Sequence, residues 1–179
     1  MCNGANLAYE RRAFVEVNGF KNIDHIASGD DMLLMQKISY QYPGKISYLL
    51  SKDAIVTTRA AETWKEFFSQ RIRWASKATN YNDIKIFSAL FLVYFFNCSL
   101  LALFVAGFWM NDLWIGFLGV LFVKTVIELL FLYPVARFYN KQTLLNLFPL
   151  YQPLHICYTV IAGWLGVFGS FEWKGRRVK

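Results

Sequence analysis

Polar and apolar positions divide the chain near residue 85. Ahead of that point they mix at short range. Residues 10–17 read as a short helix stopped at Asn18-Gly19, and Met32, Leu33, Met35 and Ile38 recur at helical spacing behind Ser28-Gly29-Asp30-Asp31. This spacing predicts a helix to about Tyr40, capped by Ser28 or Asp30, with the acidic pair at its amino end. Residues 4–9 read as extended, Pro43-Gly44 as a turn, and 45–50 and 54–58 as short β-type runs. Thr63-Trp64-Lys65-Glu66 has the spacing of a capping box, so a helix follows it to about Lys77. Gln70, Arg73 and Trp74 fall on one face of that helix, flanked by Phe67 and Arg71, and Trp64, Phe68 and Ile72 supply apolar surface. An amphipathic helix of this kind, near 63–79, is expected to lie along a membrane surface.

Beyond residue 85 charge nearly vanishes. Residues 86–110 carry none at all, a run longer than the roughly twenty apolar residues a bilayer crossing needs. A second candidate span, 113–136, is interrupted by Lys124 and Glu128, one helical turn apart. Their plainest role is a mutual ion pair; lining an acceptor's path is the alternative. A third, 144–169, is free of charge but contains Pro149 and Pro153, and its His155 is expected to be a hydrogen-bonded structural residue.

Composition fits this division. With 56% hydrophobic and 18% aromatic residues, the chain is too oily for an ordinary soluble fold. Its net charge of +7 comes without a basic stripe interleaved with aromatics, so nucleic acid is not an expected partner. Basic residues instead flank the spans: Arg71, Arg73, Lys77 and Lys85 before the first, Arg137 and Lys141 after the second. The positive-inside tendency then predicts an integral protein of the cytoplasmic membrane with residues 1–85 facing the cytoplasm. The basic tail from Glu172 to Lys179 wants the same side, which three full crossings deny it. A re-entrant third segment, bent at Pro149 and Pro153, would reconcile the two. No signal-peptide pattern opens the sequence, so an internal span is expected to direct insertion. Cys2, Cys98 and Cys157 are too scattered for a disulfide framework or a metal-ligand set and read as small apolar fillers.

The residues with chemistry to offer are Asp31 and Asp30, a carboxylate pair suited to proton transfer, and the cationic and aromatic face of Gln70, Arg71, Arg73 and Trp74. Asn3-Gly4-Ala5-Asn6 with Gly19-Phe20, then Gly29-Asp30-Asp31, then Gln70-Arg71-Ile72-Arg73-Trp74, all ahead of apolar spans, together resemble the carboxy-terminal half of membrane-bound family-two inverting glycosyltransferases, a group with cellulose and hyaluronan synthases and ceramide glucosyltransferase. The resemblance implies α/β structure plus transmembrane helices. Residues 1–85 would be the acceptor-side half of a GT-A-like domain ending in the interfacial helix, and 86–179 a membrane domain of about three segments.

It also implies an inverting hexosyltransferase with Asp31 as general base; by their own chemistry the always-charged guanidinium groups of Arg71 and Arg73, with Gln70, suit the donor's diphosphate, and Trp74 suits stacking on a sugar ring. Partners would be a nucleotide-sugar donor, a lipid or polysaccharide acceptor and membrane lipid. The string Trp173-Lys174-Gly175-Arg176 resembles the tail of ceramide-glucosyltransferase-like members, making Trp173, Lys174 and Arg176 candidate phosphate contacts. Anchoring to lipid headgroups accounts for the same residues.

What departs from the family pattern is the beginning. The nucleotide-binding half, with the Asp-x-Asp motif that holds Mg or Mn, is not found in these residues, so the chain reads as a fragment that binds no metal and is inactive alone. A non-catalytic membrane scaffold or assembly subunit is the competing reading. A small transporter coupled through Lys124 and Glu128 is a third, but it leaves residues 1–85 without a purpose.

Overall fold

The computed structural model describes residues 4–24, 29–80, 83–173 and 176–178, the side chains at 79–80, 171–173 and 176–178 excepted. The chain forms two compact units, Met1–Glu62 and Thr63–Arg177.

In the first unit, helix α1 (Arg11–Glu16) and helix α2 (Asp30–Gln41) share a small apolar core in which Ile23, Leu33 and Leu34 are buried against Phe14, Val17 and Ile38. Gly29 precedes α2 with φ of 106°, a left-handed conformation that a side chain disfavours. Asp30 does not take the cap position expected of it: it is the first helical residue, and no side chain among the described residues caps the helix start. Ser28, the other expected cap, lies outside the described residues.

The α/β expectation is not met. Residues 45–50 and 55–58 form no strand, and Gly4–Asn6 and Lys52–Ala54 are single 3₁₀ turns. Aromatic and β-branched side chains favour extended backbone, but a strand also needs a ladder partner for its N–H and C=O groups. None is supplied among the described residues of this unit, where Tyr48, Leu49 and Leu50 are exposed. A side-chain bond from Asn6 Nδ2 to the Ala54 carbonyl, 2.7 Å, joins the two 3₁₀ turns. Among the described residues the one sheet is a two-stranded hairpin near the carboxy terminus, β1 (Phe171–Trp173) with β2 (Arg176–Val178).

The second unit is helical apart from that hairpin. Helix α3 (Trp64–Ser76) begins at Thr63, whose hydroxyl accepts the Glu66 amide at 3.2 Å, the first half of a capping box. Helices α4 (Ile84–Ala106) and α5 (Leu113–Phe138) are long and apolar enough to cross a membrane, and no other helix among the described residues is. Helix α6 (Phe148–Phe168) has the length but not the hydropathy.

Nor is α6 broken at its prolines. Pro149 sits in the first turn, where the missing N–H has no intrahelical acceptor to lose. Pro153 gives up only a bond to the carbonyl of Pro149, so the helix continues through both.

Helices α3 and α6 lie side by side in the same direction. Phe67 of α3 meets Tyr158 of α6, and the same interval further on, Ala75 meets Gly166. A Cβ added at Gly166 would stand 2.7 Å from Ala75 Cβ and 2.8 Å from the Ser76 amide nitrogen, atoms tied to backbone that cannot swing away. Gly166→Val is therefore expected to force α3 off α6 and to destabilise the protein by about 1–3 kcal/mol. Gly116→Ala, where the added Cβ meets open space, provides the control and should leave stability unchanged or slightly raised. Thermal unfolding in detergent distinguishes the two; equal midpoints would mean that the α3–α6 approach is not tight.

Candidate functional site

Asp30 and Asp31 occupy the first turn of α2, and among the described residues the hydrogen bonds run to Asp31. Asp31 is half-buried, and each carboxylate oxygen accepts a backbone amide: Oδ2 from Gly4 and Oδ1 from Met32, both at 2.8 Å. The Gly4 bond spans the unit and draws the Gly4-Ala5-Asn6 turn to the start of α2. Two amide donors hold the carboxylate in one orientation, while each oxygen keeps a second lone pair for a further donor. Asp30 is exposed. Lys37, a turn and a half along α2, donates to the Gly19 and Lys21 carbonyls at 2.6 and 3.0 Å, and Glu16 accepts the Tyr42 hydroxyl, so α1 and the turn after it are clamped to the helix that carries Asp31.

The second group of candidates is on α3. Arg71 is enclosed by three rings: its guanidinium carbon lies 4.8 Å from the Phe67 ring centre, 4.6 Å from Trp74 and 5.6 Å from Tyr158. Phe67, Arg71 and Trp74 follow at i, i+4 and i+7, so this face of α3 is one stripe, and Tyr158 closes it from α6. The Arg71 Nε is buried and finds no hydrogen-bond partner among the described residues. Gln70 and Arg73 are half-buried, and Trp74, although it carries Arg71 over its ring, remains 45% exposed.

A third cluster lies between α5 and α6. The Lys124 ammonium, buried, donates to Glu128 Oε1 at 2.6 Å and to Gln152 Oε1 at 3.0 Å, while Gln152 Nε2 donates to Glu128 Oε2. The expected ion pair is thus a closed ring of three. One step further along α6, the His155 ring shares a hydrogen bond of 2.8 Å between Nδ1 and the Tyr158 hydroxyl. Sequence reasoning passed over Tyr158. Its signal was there in a polar residue every third position, Gln152, His155 and Tyr158, along one side of an otherwise apolar helix.

Among the described residues no three His, Cys, Asp or Glu side chains come together. Cys98 and Cys157 are free thiols. Of the tail candidates, Lys174 lies outside the described residues, as do the side chains of Trp173 and Arg176; the backbone of β1 runs alongside α3. The family model described as glycosyl transferase family 21 matches residues 1–179. Searches of curated proteins and of solved structures give no match.

Proposed function

The chain belongs to glycosyl transferase family 21, and from that membership we propose that it is the acceptor-side and membrane portion of an inverting hexosyltransferase that moves a sugar from a nucleotide-sugar donor to a lipid acceptor. The observation that carries the chemistry is the Asp31 carboxylate, oriented by the Gly4 and Met32 amides. In this reading Asp31 takes the proton from the acceptor hydroxyl while the hydroxyl oxygen bonds to the anomeric carbon from the face opposite the leaving group. The bond from that carbon to the diphosphate breaks, and its electron pair leaves with the nucleotide. Inversion follows from a single displacement.

Arg71 and Arg73 meet the charge gathering on the departing diphosphate, a task for a guanidinium that never loses its proton, with Gln70 as a neutral donor beside them. Trp74, exposed, stacks on the acceptor's sugar or headgroup. Trp173, Lys174 and Arg176 add cationic and aromatic contacts from the tail. The donor's nucleotide and its Mg or Mn are held by residues other than those described here, and no step above is routed through the ion.

Among the described residues two helices, α4 and α5, are long and apolar enough to cross a membrane. Two crossings return the polypeptide to the side it started from, so the basic loops and the basic tail both face the cytoplasm, as the positive-inside tendency asks.

The test is to supply the complete protein, in membranes, with a panel of labelled sugar nucleotides and to determine the product's anomeric configuration. We expect one donor to label a lipid with inverted configuration. Retained configuration would remove Asp31 as the base of a single displacement, and no transfer from any donor would favour the scaffold reading.

A further inference from the structure

We propose that Tyr158 is a positioning residue for sugar transfer: its ring closes the aromatic cage that fixes the Arg71 guanidinium toward the donor diphosphate. The proposal rests on the reading of Arg71 as a diphosphate contact and extends the site from α3 to a helix with no part in the sequence motif.

An arginine side chain loses most of its rotamer freedom when it is held in one place, and its charge helps a developing anion most when that ordering is done before the reaction. Proteins commonly hold such an arginine with a carboxylate. Arg71 has no carboxylate partner among the described residues and is held by ring faces instead, those of Phe67 and Trp74 from its own helix and that of Tyr158 from α6. The difference matters chemically. A carboxylate would cancel the guanidinium's charge, whereas a π face orients the cation and leaves the charge for an incoming anion.

The two rings from α3 flank Arg71 within its own helix, and among the described residues Tyr158 is the ring that meets it from another helix. That ring is itself fixed in two ways. It stands edge-on to Phe67, with centres 5.2 Å apart and planes at 87°, and its hydroxyl shares a hydrogen bond with His155 Nδ1 at 2.8 Å. Further back on the same side of α6, Gln152 is locked into the Lys124–Glu128 ring. Each support of Tyr158 is therefore tied to a second element, Phe67 to α3 and the α6 strip to α5.

The test uses the complete protein in membranes and reads kcat/KM for the sugar-nucleotide donor. Tyr158→Phe serves as the reference, and one, two and three fluorines are then added to the ring at this position. Fluorination drains the negative ring face while barely changing its shape, so folding is not in question. We expect a stepwise fall reaching about ten-fold, within the range of a partly desolvated cation–π contact. In an Arg71→Gln background the same series should be flat.

A flat series with Arg71 in place, or an equal fall in both backgrounds, would overturn the proposal and leave Tyr158 as packing only. Should Arg71→Gln by itself leave transfer unchanged, the diphosphate reading of Arg71 falls and the role of Tyr158 with it. A large loss at Arg71 beside a flat series removes Tyr158 alone.

Discussion

Asp31→Asn in the complete protein is expected to lower sugar transfer roughly a hundred- to ten-thousand-fold, the span that a positioned general base contributes. The substitution also disturbs structure, and the size of that effect can be bounded. Asp31 accepts two backbone amides, from Gly4 and Met32, and an asparagine offers one acceptor oxygen where the carboxylate offers two. One amide therefore faces an NH₂ group, at a cost of about 1–3 kcal/mol if it stays dry and less because the site is only half-buried. A stability loss of that size shifts the unfolding midpoint by a few degrees and leaves the protein folded at assay temperature.

Asp30→Asn is the matched control. Asp30 is exposed at the same helix end, so it reports any loss of charge near the helix dipole without loss of the oriented carboxylate. Its transfer rate should stay within about three-fold of the unchanged protein, the scale of a surface helix-dipole contribution. If Asp30→Asn and Asp31→Asn fall together, the pair acts through charge alone; if Asp31→Asn retains transfer, Asp31 is a structural clamp for the Gly4 turn and the base lies elsewhere.

The contrast between these two aspartates was only half legible in the sequence. Gly29-Asp30-Asp31 announces a helix start with acidic residues, but which of them points inward depends on the Gly4 amide, which lies twenty-seven positions away in sequence. Local signals did well where the physics is local. Thr63 and Glu66 sit three residues apart because a hydroxyl reaches the third amide of a helix, and the structure forms that bond. They did poorly where a partner decides the outcome. Residues 45–50 have strand-forming side chains but find no strand to pair with among the described residues, and α6 continues through both of its prolines.

The site on α3 shows the same split. Phe67, Arg71 and Trp74 recur along one side of a helix and are visible from spacing, but the ring that completes the cage, Tyr158, comes from α6 through a contact that no periodicity encodes. Lys124 and Glu128 were legible as a pair at i, i+4, whereas their third member, Gln152, required knowing that α6 lies on α5.

Lys124→Met is expected to produce the largest loss of stability of any single change discussed, for reasons that also decide what the charged ring is for. The lysine side chain is 4% exposed and its two hydrogen bonds satisfy a carboxylate and an amide carbonyl inside an apolar pair of helices. Removing it leaves Glu128 without its cation and Gln152 Oε1 without a donor, and breaking a buried pair from one side costs about 3–5 kcal/mol. The lower end applies, because Glu128 is 32% exposed and is partly relieved by solvent or by protonation. A drop of about 6–10 °C in the unfolding midpoint in detergent follows for a chain of this size.

Lys124→Met with Glu128→Leu removes both charges, leaves only the Gln152 amide to be satisfied, and should recover more than half of the loss, since a buried ion pair contributes little net stability over apolar packing. A double variant as unstable as the single one would show that the cost came from packing and not from the stranded carboxylate. The transfer rate of the double variant then separates the two roles of the ring. If the ring only clamps α6 to α5, and through α6 holds Tyr158 against Arg71, stability and transfer return together. If it also lines the path of the acceptor's polar headgroup, stability returns while the KM for acceptor stays high, because a methionine and a leucine have nothing to offer a hydroxyl at that depth.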